Sequence, residues 1–339
     1  MKCLFYPEYE KLEIREVPDP EPANGELLVR VSACGICGSE LGSYRSKSER
    51  RKPPLIMGHE FAGKVETVGP GCSNRFEPGE GIIANSLVCP EDGYQTGIGN
   101  PHLSPDRHLF GMHRPGGFAE YVCVPEIALL KCPENLPHEI ACLAEPVANG
   151  VHVFNLAKHE HVERAAIIGA GPIGLFCMQV LRAKGIDCIT ISDVSDGRLE
   201  IARELGATSA WRSDKESYEK EVEQLTDGNG FDLCIDAAGN NATKQLSLDL
   251  IRAGGITVWI GLGGTDFSFN GLDLTVSEKK IFGTFGARQE EMQDAIDLLS
   301  SGVIDASSWI DYFTLEESVT AFERMLAPVG KDLKAVIRF

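Results

Sequence analysis

The feature that most constrains this chain is the run Gly169-Ala170-Gly171-Pro172-Ile173-Gly174. It stands between an apolar stretch that reads as a buried strand, residues 165–169, and an amphipathic stretch that reads as a helix, Pro172–Ala183. A G-x-G-x-x-G at such a junction is the fingerprint of a dinucleotide site. The first glycine permits the tight turn and the second lets backbone approach a pyrophosphate. The third lets helix and strand pack closely, with the helix N-terminus facing the phosphates. The acid expected about twenty residues on is Asp193, which closes the next apolar run, 186–192. A glycine turn with a chance acid nearby is the ordinary alternative, but strand, turn, helix, strand and acid all occur in order. The Asp193 charge would repel a 2′-phosphate, Val194 and Ser195 offer no basic replacement, and Arg198 is the one nearby cation, so the pattern favours NAD over NADP.

The surroundings agree with that junction. Residues 165–169, 186–192, 231–236 and 256–260 read as buried parallel strands, and 172–183, 197–205, 218–225 and 242–251 as the helices between them. This alternation predicts a doubly wound α/β sheet. Up to about residue 150 the texture differs, with many Gly and Pro and short β-branched runs such as 27–31 and 61–68, as in a strand-and-turn domain. After 284 come a helix, 290–300, and a strand, 335–339, which are expected to rejoin the first domain. The expected division is therefore 1–150 with 285–339, and 151–284.

A chain of 339 residues can bury two cores. Its net charge of −18 argues against a nucleic-acid partner. There is no apolar run of membrane-spanning length, and the opening Met-Lys-Cys-Leu-Phe-Tyr-Pro-Glu lacks the apolar core of a secretion signal. A soluble, cytoplasmic protein with no membrane partner is expected. Eleven cysteines, an odd count over a long chain, read as buried small groups or metal ligands rather than a disulfide framework.

Three segments carry metal chemistry: Cys34-Gly35-Ile36-Cys37-Gly38-Ser39-Glu40, Gly58-His59-Glu60, and Leu143-Ala144-Glu145-Pro146. One thiolate, one imidazole and one or two carboxylates suit a tetrahedral Zn²⁺ that keeps a position open. Singly, each has a plain explanation. The C-x-x-C reads equally as a redox pair or two small residues in a turn, His59 as a core histidine, and Glu145 as a solvated acid before a proline.

Taken in order with Gly116-Gly117-Phe118-Ala119-Glu120-Tyr121 and the glycine fingerprint, they resemble the zinc-dependent medium-chain alcohol dehydrogenases. The similarity runs over essentially the whole chain and is greatest to the polyol, threonine and sugar-alcohol branch, where Glu-Pro stands for a ligand cysteine. The resemblance implies a GroES-like β-rich catalytic domain, discontinuous in sequence, beside a Rossmann domain. It implies one catalytic zinc per chain on Cys37, His59 and Glu145, with Glu60 an exchangeable ligand or supporting carboxylate, and Cys34 not a ligand. It makes Ser39 the hydroxyl that takes the substrate proton. Ile173, Asp193 and Arg198 would contact the nucleotide, and Leu262, Gly263, Gly264, Thr284 and Phe285 the nicotinamide through backbone. A homodimer or homotetramer is expected.

Two departures from the family pattern stand out. Many relatives carry a histidine five residues after the ligand cysteine, completing a proton relay, where this chain has Gly42; Tyr44 and His152 are candidate substitutes. Relatives also hold a structural zinc on four cysteines in one lobe, where only Cys89 remains and 90–114 is rich in Gly, Pro and His. Leu103, Leu109, Phe110 and Met112 are available to hold that lobe by packing. The basic run 44–52, including Arg50, Arg51 and Lys52, reads either as a solvated loop or as a site for a phosphate or carboxylate on the substrate. The expected activity is transfer of hydride from a secondary hydroxyl of a polyol, sugar or sugar-acid/phosphate substrate to NAD. The alternatives are a nucleotide-sensing relative of weak catalysis and a zinc-independent quinone reductase, which would not need Cys37, His59 and Glu145.

Overall fold

The structure is a computed structural model that describes residues 1–158, 160–214, 218–264, 266–327 and 331–339. It divides into two units: Met1–Ala148 with Gly286–Gly302 and Ala306–Phe339, and Asn149–Phe285 with Val303–Asp305. No helix among the described residues is long and apolar enough to cross a membrane.

The first unit is built on a seven-stranded sheet whose long central strand is Glu26–Gly35. Along it Leu27, Val29 and Val31 are buried while Arg30 faces outward, the period-two alternation of a sheet with one covered face. Phe61, Phe110, Phe118 and Phe322 fill the core beneath it. Each such ring contributes about 1.5–3 kcal/mol by leaving water. Three neighbours of the central strand matter for function. Glu60–Val68 pairs with it antiparallel, with Gly35 opposite Glu60 and Cys34 opposite Phe61. Lys334–Arg338, from the far end of the sequence, pairs on its other side with Val336 opposite Gly35. Directly after the central strand, Gly38–Ser46 forms a short helix. This register brings the turn at 36–37, the residue before Glu60 and the first residue of the Lys334 strand to one place.

The second unit is a six-stranded parallel sheet in the order Ser209–Arg212, Cys188–Asp193, Arg164–Ile168, Phe231–Asp236, Ile251–Trp259, Lys280–Gly283. Ala165 to Ile168 are buried on consecutive positions, as a strand covered on both faces requires. The order reverses between Arg164–Ile168 and Phe231–Asp236, and the glycine turn leaves the first of these at that switch point. The four strands and four helices expected here are present with ends shifted by a few residues. The edge strands Ser209–Arg212 and Lys280–Gly283 are additional to the sequence reading.

Candidate metal centre and cofactor site

Cys37 ends the extended stretch after the central strand and caps the helix Gly38–Ser46. Its Sγ accepts from the Ser39 amide at 3.5 Å and lies 3.3 Å from Ser39 Oγ. The cap is closed by Glu40, whose Oε2 accepts from the Cys37 amide at 3.1 Å. Glu40 Oε1 accepts from the Gly58 amide at 2.8 Å and lies 2.9 Å from His59 Nδ1. Glu40 is fully buried, so a single carboxylate ties the cysteine turn to the histidine turn.

An ionised carboxylate only accepts hydrogen bonds, so His59 Nδ1 carries a proton, and it is Nε2 that would give up its proton to bind a metal. In the metal-free site the charges favour the imidazolium, so a metal at Nε2 would displace a proton there. Burial opposes ionisation of Glu40, yet the neighbouring His59 and, behind it, Arg51 hold its carboxyl below the usual range. Burial likewise works against a charged His59, but Glu40 and Cys37 outweigh it and raise its pKa well above the ordinary value.

Cys37, His59 and Glu60 each bring a ligand atom within 4.8 Å of the other two, the one such group among the described residues. Glu145 stands just outside this tight set. It is buried, burial pushes its carboxyl up, and the charges of His59 and Glu60 and a hydrogen bond with Ser86 act on it. Glu60 is buried against the Lys334 ammonium, which also donates to the Ile36 carbonyl at 2.9 Å. Burial disfavours a charged Lys334, but Glu60 beside it more than offsets this and its pKa is raised. Gly35 must be glycine for this pair to fit, since a Cβ there would collide with the Glu60 carboxylate. A thiol, an imidazole with a free nitrogen and two carboxylates form a borderline-soft donor set that fits zinc. Cys34 is fully buried with its Sγ toward the Gly35 carbonyl, outside that group.

On the second unit, a Cβ at Gly174 would collide with the Gly169 carbonyl, so the turn requires glycine there. Gly171 precedes the helix Pro172–Ala183 and no side chain caps it, leaving first-turn amides for an anion; Ile173 lies half-buried in that first turn. Asp193 Oδ2 accepts from the Ala170 amide at 2.8 Å and Oδ1 from the Ser195 amide at 2.9 Å. Arg198 Nη1 lies 3.8 Å from Asp193 Oδ2. A second cation, Arg212, is drawn off by Asp196 at 2.9 Å and Asp214 at 2.7 Å. Leu262 is exposed, and Gly263 and Gly264 pack toward 238–241. Thr284 donates its amide to the Trp259 carbonyl at 3.1 Å, and its buried hydroxyl has no hydrogen-bond partner among the described residues. Phe285 beside it is half-buried. Such an orphaned buried hydroxyl fits a ligand that supplies the partner.

Several expectations change. Arg51 is neither a solvated cation nor a free anion receptor, for it is 3% exposed and makes four hydrogen bonds inside the unit. Lys47 pairs with Glu10 at 2.8 Å and Lys52 with Glu49 at 2.5 Å, so the basic run is broken up by local partners. Tyr44 faces the core, against Tyr6 and Phe322, with its hydroxyl donating to the Glu10 carbonyl at 2.6 Å. His152 is buried in the helix Ala144–Ala157. In the lobe around Cys89, Leu109 and Phe110 are buried but Leu103 is exposed. Glu40 and Lys334 were not singled out as functional residues from sequence. The capping spacing Cys37-x-x-Glu40 was the available signal for the first, and nothing local signals the second.

Two family models match the chain: the alcohol dehydrogenase GroES-like domain over residues 23–134, and the zinc-binding dehydrogenase over 172–301. The L-threonine 3-dehydrogenase of Pyrococcus horikoshii is 34% identical over 332 residues, covering 96% of this chain and 94% of that protein. An alcohol dehydrogenase of Escherichia coli solved with NADH has a TM-score of 0.93 at 28% identity, covering 100% of this chain and 99% of that one. A protein of Sinorhizobium meliloti described as a zinc-binding dehydrogenase and solved with NADP has a TM-score of 0.89 at 28% identity, with the same coverage.

Proposed function

Because the chain belongs to the zinc-type medium-chain alcohol dehydrogenase family and is thereby an NAD(P)-dependent dehydrogenase, we propose that it oxidises a secondary hydroxyl of a polyol, sugar or sugar-acid/phosphate substrate and uses NAD as the acceptor. In this reading Cys37, His59 and Glu145 would hold zinc, with Glu60 an exchangeable ligand or supporting carboxylate, so that one position stays open to substrate. Zinc held there would supply Lewis acidity toward the substrate oxygen, and the nicotinamide would supply the hydride acceptor.

The chain's own residues do the rest. Glu40 fixes the His59 tautomer and keeps Nε2 available. Lys334 balances the charge of Glu60 and keeps that carboxylate oriented. Ser39, 3.3 Å from Cys37 Sγ, is placed to take the substrate's hydroxyl proton. Asp193, with its charge at the end of its strand, favours a ribose with two free hydroxyls over one carrying a phosphate. Ile173, Arg198, Leu262, Gly263, Gly264, Thr284 and Phe285 form the rest of the nucleotide contacts in this reading. Assembly as a homodimer or homotetramer in the cytoplasm completes it; the exposed Leu272 and Val276 are apolar surface that such assembly would cover.

The observation that carries the proposal is the convergence of Cys37, His59 and Glu60 beside the Ser39 hydroxyl. The test is NADH or NADPH formation on a panel of polyols, sugars, sugar acids and sugar phosphates, with Cys37→Ser and His59→Ala as controls. Turnover should appear with NAD and vanish in both variants while the chain stays folded. Full activity in a chelator-treated, metal-free preparation would overturn the reading.

A further inference from the structure

Arg51 is held inside the first unit at 3% exposure by four hydrogen bonds. Nε donates to the Gly111 carbonyl at 3.2 Å, and Nη1 donates to the Ser39 carbonyl at 2.9 Å and Ser43 Oγ at 3.1 Å. Nη2 donates to Ser39 Oγ at 3.2 Å. A guanidinium has five N–H donors, no acceptor, and stays charged throughout the stable range of a protein. The sense of the last bond is therefore fixed: Ser39 Oγ accepts.

That bond decides how the hydroxyl is presented. A serine hydroxyl has one hydrogen and two acceptor lone pairs. Arg51 occupies one lone pair. The hydrogen has Cys37 Sγ as an acceptor 3.3 Å away. One lone pair then remains, and it can receive only a donor, which is what a substrate hydroxyl is. The guanidinium also grips the carbonyl of the same residue, so both ends of Ser39 are fixed by one side chain. Gly42, three residues on, brings no side chain to that lone pair, and a Cβ there would meet only open space.

We propose that Arg51 is the positioning residue of the proton-transfer step, holding the Ser39 oxygen with one acceptor site turned to the substrate. As the substrate O–H breaks and its proton bonds to Ser39 Oγ, the hydrogen Ser39 already carries leaves to solvent water, so Ser39 ends as a hydroxyl again. The inference rests on the reading of Ser39 given above. It assigns to a buried residue of the basic run a role in turnover rather than in substrate charge recognition.

The alternative is that Arg51 merely ties the helix to the Gly111 turn, and a double-mutant cycle separates the two. Arg51→Lys keeps the charge but loses the fork, and should lower kcat by about a hundred-fold, the scale set by misplacing a reacting group. KM for NAD and zinc content should not move. Ser39→Ala should lower kcat at least as far, and the double variant should be no slower than Ser39→Ala alone. Crystals of the metal-free Arg51→Lys chain should show Ser39 Oγ displaced from its position beside Cys37 Sγ. If Arg51→Lys does not fold, Arg51→Gln, which keeps two N–H donors, enters the same cycle. Losses that multiply in the double variant, or an Arg51 variant as fast as the parent while Ser39→Ala is inactive, would overturn the Arg51 assignment alone. Full turnover in Ser39→Ala would instead remove the Ser39 reading, and this inference with it.

Discussion

Replacing Glu40 should weaken zinc binding and the metal-free fold together, because one buried carboxylate serves both. Its two oxygens accept from the amides of Cys37 and Gly58 and from His59 Nδ1 at 2.8–3.1 Å. In Glu40→Ala both amides lose their acceptor, that of Gly58 in a buried place and that of Cys37 in a part-buried one. Each such orphan costs about 1–3 kcal/mol, so the metal-free chain should lose roughly 2–6 kcal/mol, a large share of the 5–15 kcal/mol or so that holds a typical domain. Glu40→Gln is the sharper probe. Its one remaining oxygen can stay with Gly58 and His59, but its NH₂ then points at the Cys37 amide, donor against donor. The stability loss should fall to about 1–3 kcal/mol. Zinc affinity should still drop by about ten- to a hundred-fold, because a neutral amide oxygen replaces the carboxylate that supports the ligand histidine. Chelator competition measures the affinity, and thermal unfolding of the metal-free protein measures the stability. Zinc affinity equal to the parent's in Glu40→Gln would refute the claim that this carboxylate organises the metal site.

Asp193→Ala should weaken NAD binding by about 1–3 kcal/mol for each charged hydrogen bond lost and relax discrimination against NADP; an unchanged NAD to NADP preference in initial rates would refute that assignment. Lys334→Met should leave Glu60 buried without its counter-charge and cost about 3–5 kcal/mol in the metal-free chain. The loss should be smaller with zinc present, since a cation at Glu60 then substitutes for the ammonium. Equal shifts in melting temperature with and without zinc would contradict this. Elemental analysis of dialysed protein should give close to one zinc per chain, tracking activity. A second tight zinc, lost on substitution of His102, His108 and His113, would show the loop after Cys89 to be a replacement structural site.

The second unit was legible because each of its inner strands is apolar at consecutive positions and is followed by a helix with its own periodicity. Its edge strands escaped notice for a matching reason. Ser209–Arg212 and Lys280–Gly283 have a neighbour on one side only and are partly exposed, so their residues are mixed and short. In the first unit, the helix Gly38–Ser46 has no apolar stripe to announce it; a cysteine cap and Glu40 make it. The ligand residues stood out by type and order. Their supports did not, because Lys334 and Arg51 act across distances in sequence that only the folded sheet closes. Charge alone pointed Arg51 outward, and only its four acceptors explain why it lies inside.

The strand Lys334–Arg338 has a consequence for how the protein is made. It completes a sheet whose central strand is Glu26–Gly35, and it carries the only partner shown for the Glu60 carboxylate among the described residues. On a ribosome, some three hundred residues, including the whole stretch Asn149–Phe285, must emerge between those two strands. During that interval Glu60 has no ammonium beside it, and the sheet has an open edge along Gly35. Through that whole interval the nascent chain carries a half-built metal pocket, and it closes only when the strand Lys334–Arg338 has left the exit tunnel. Metal captured before then would meet a different set of charges from the one the finished enzyme presents.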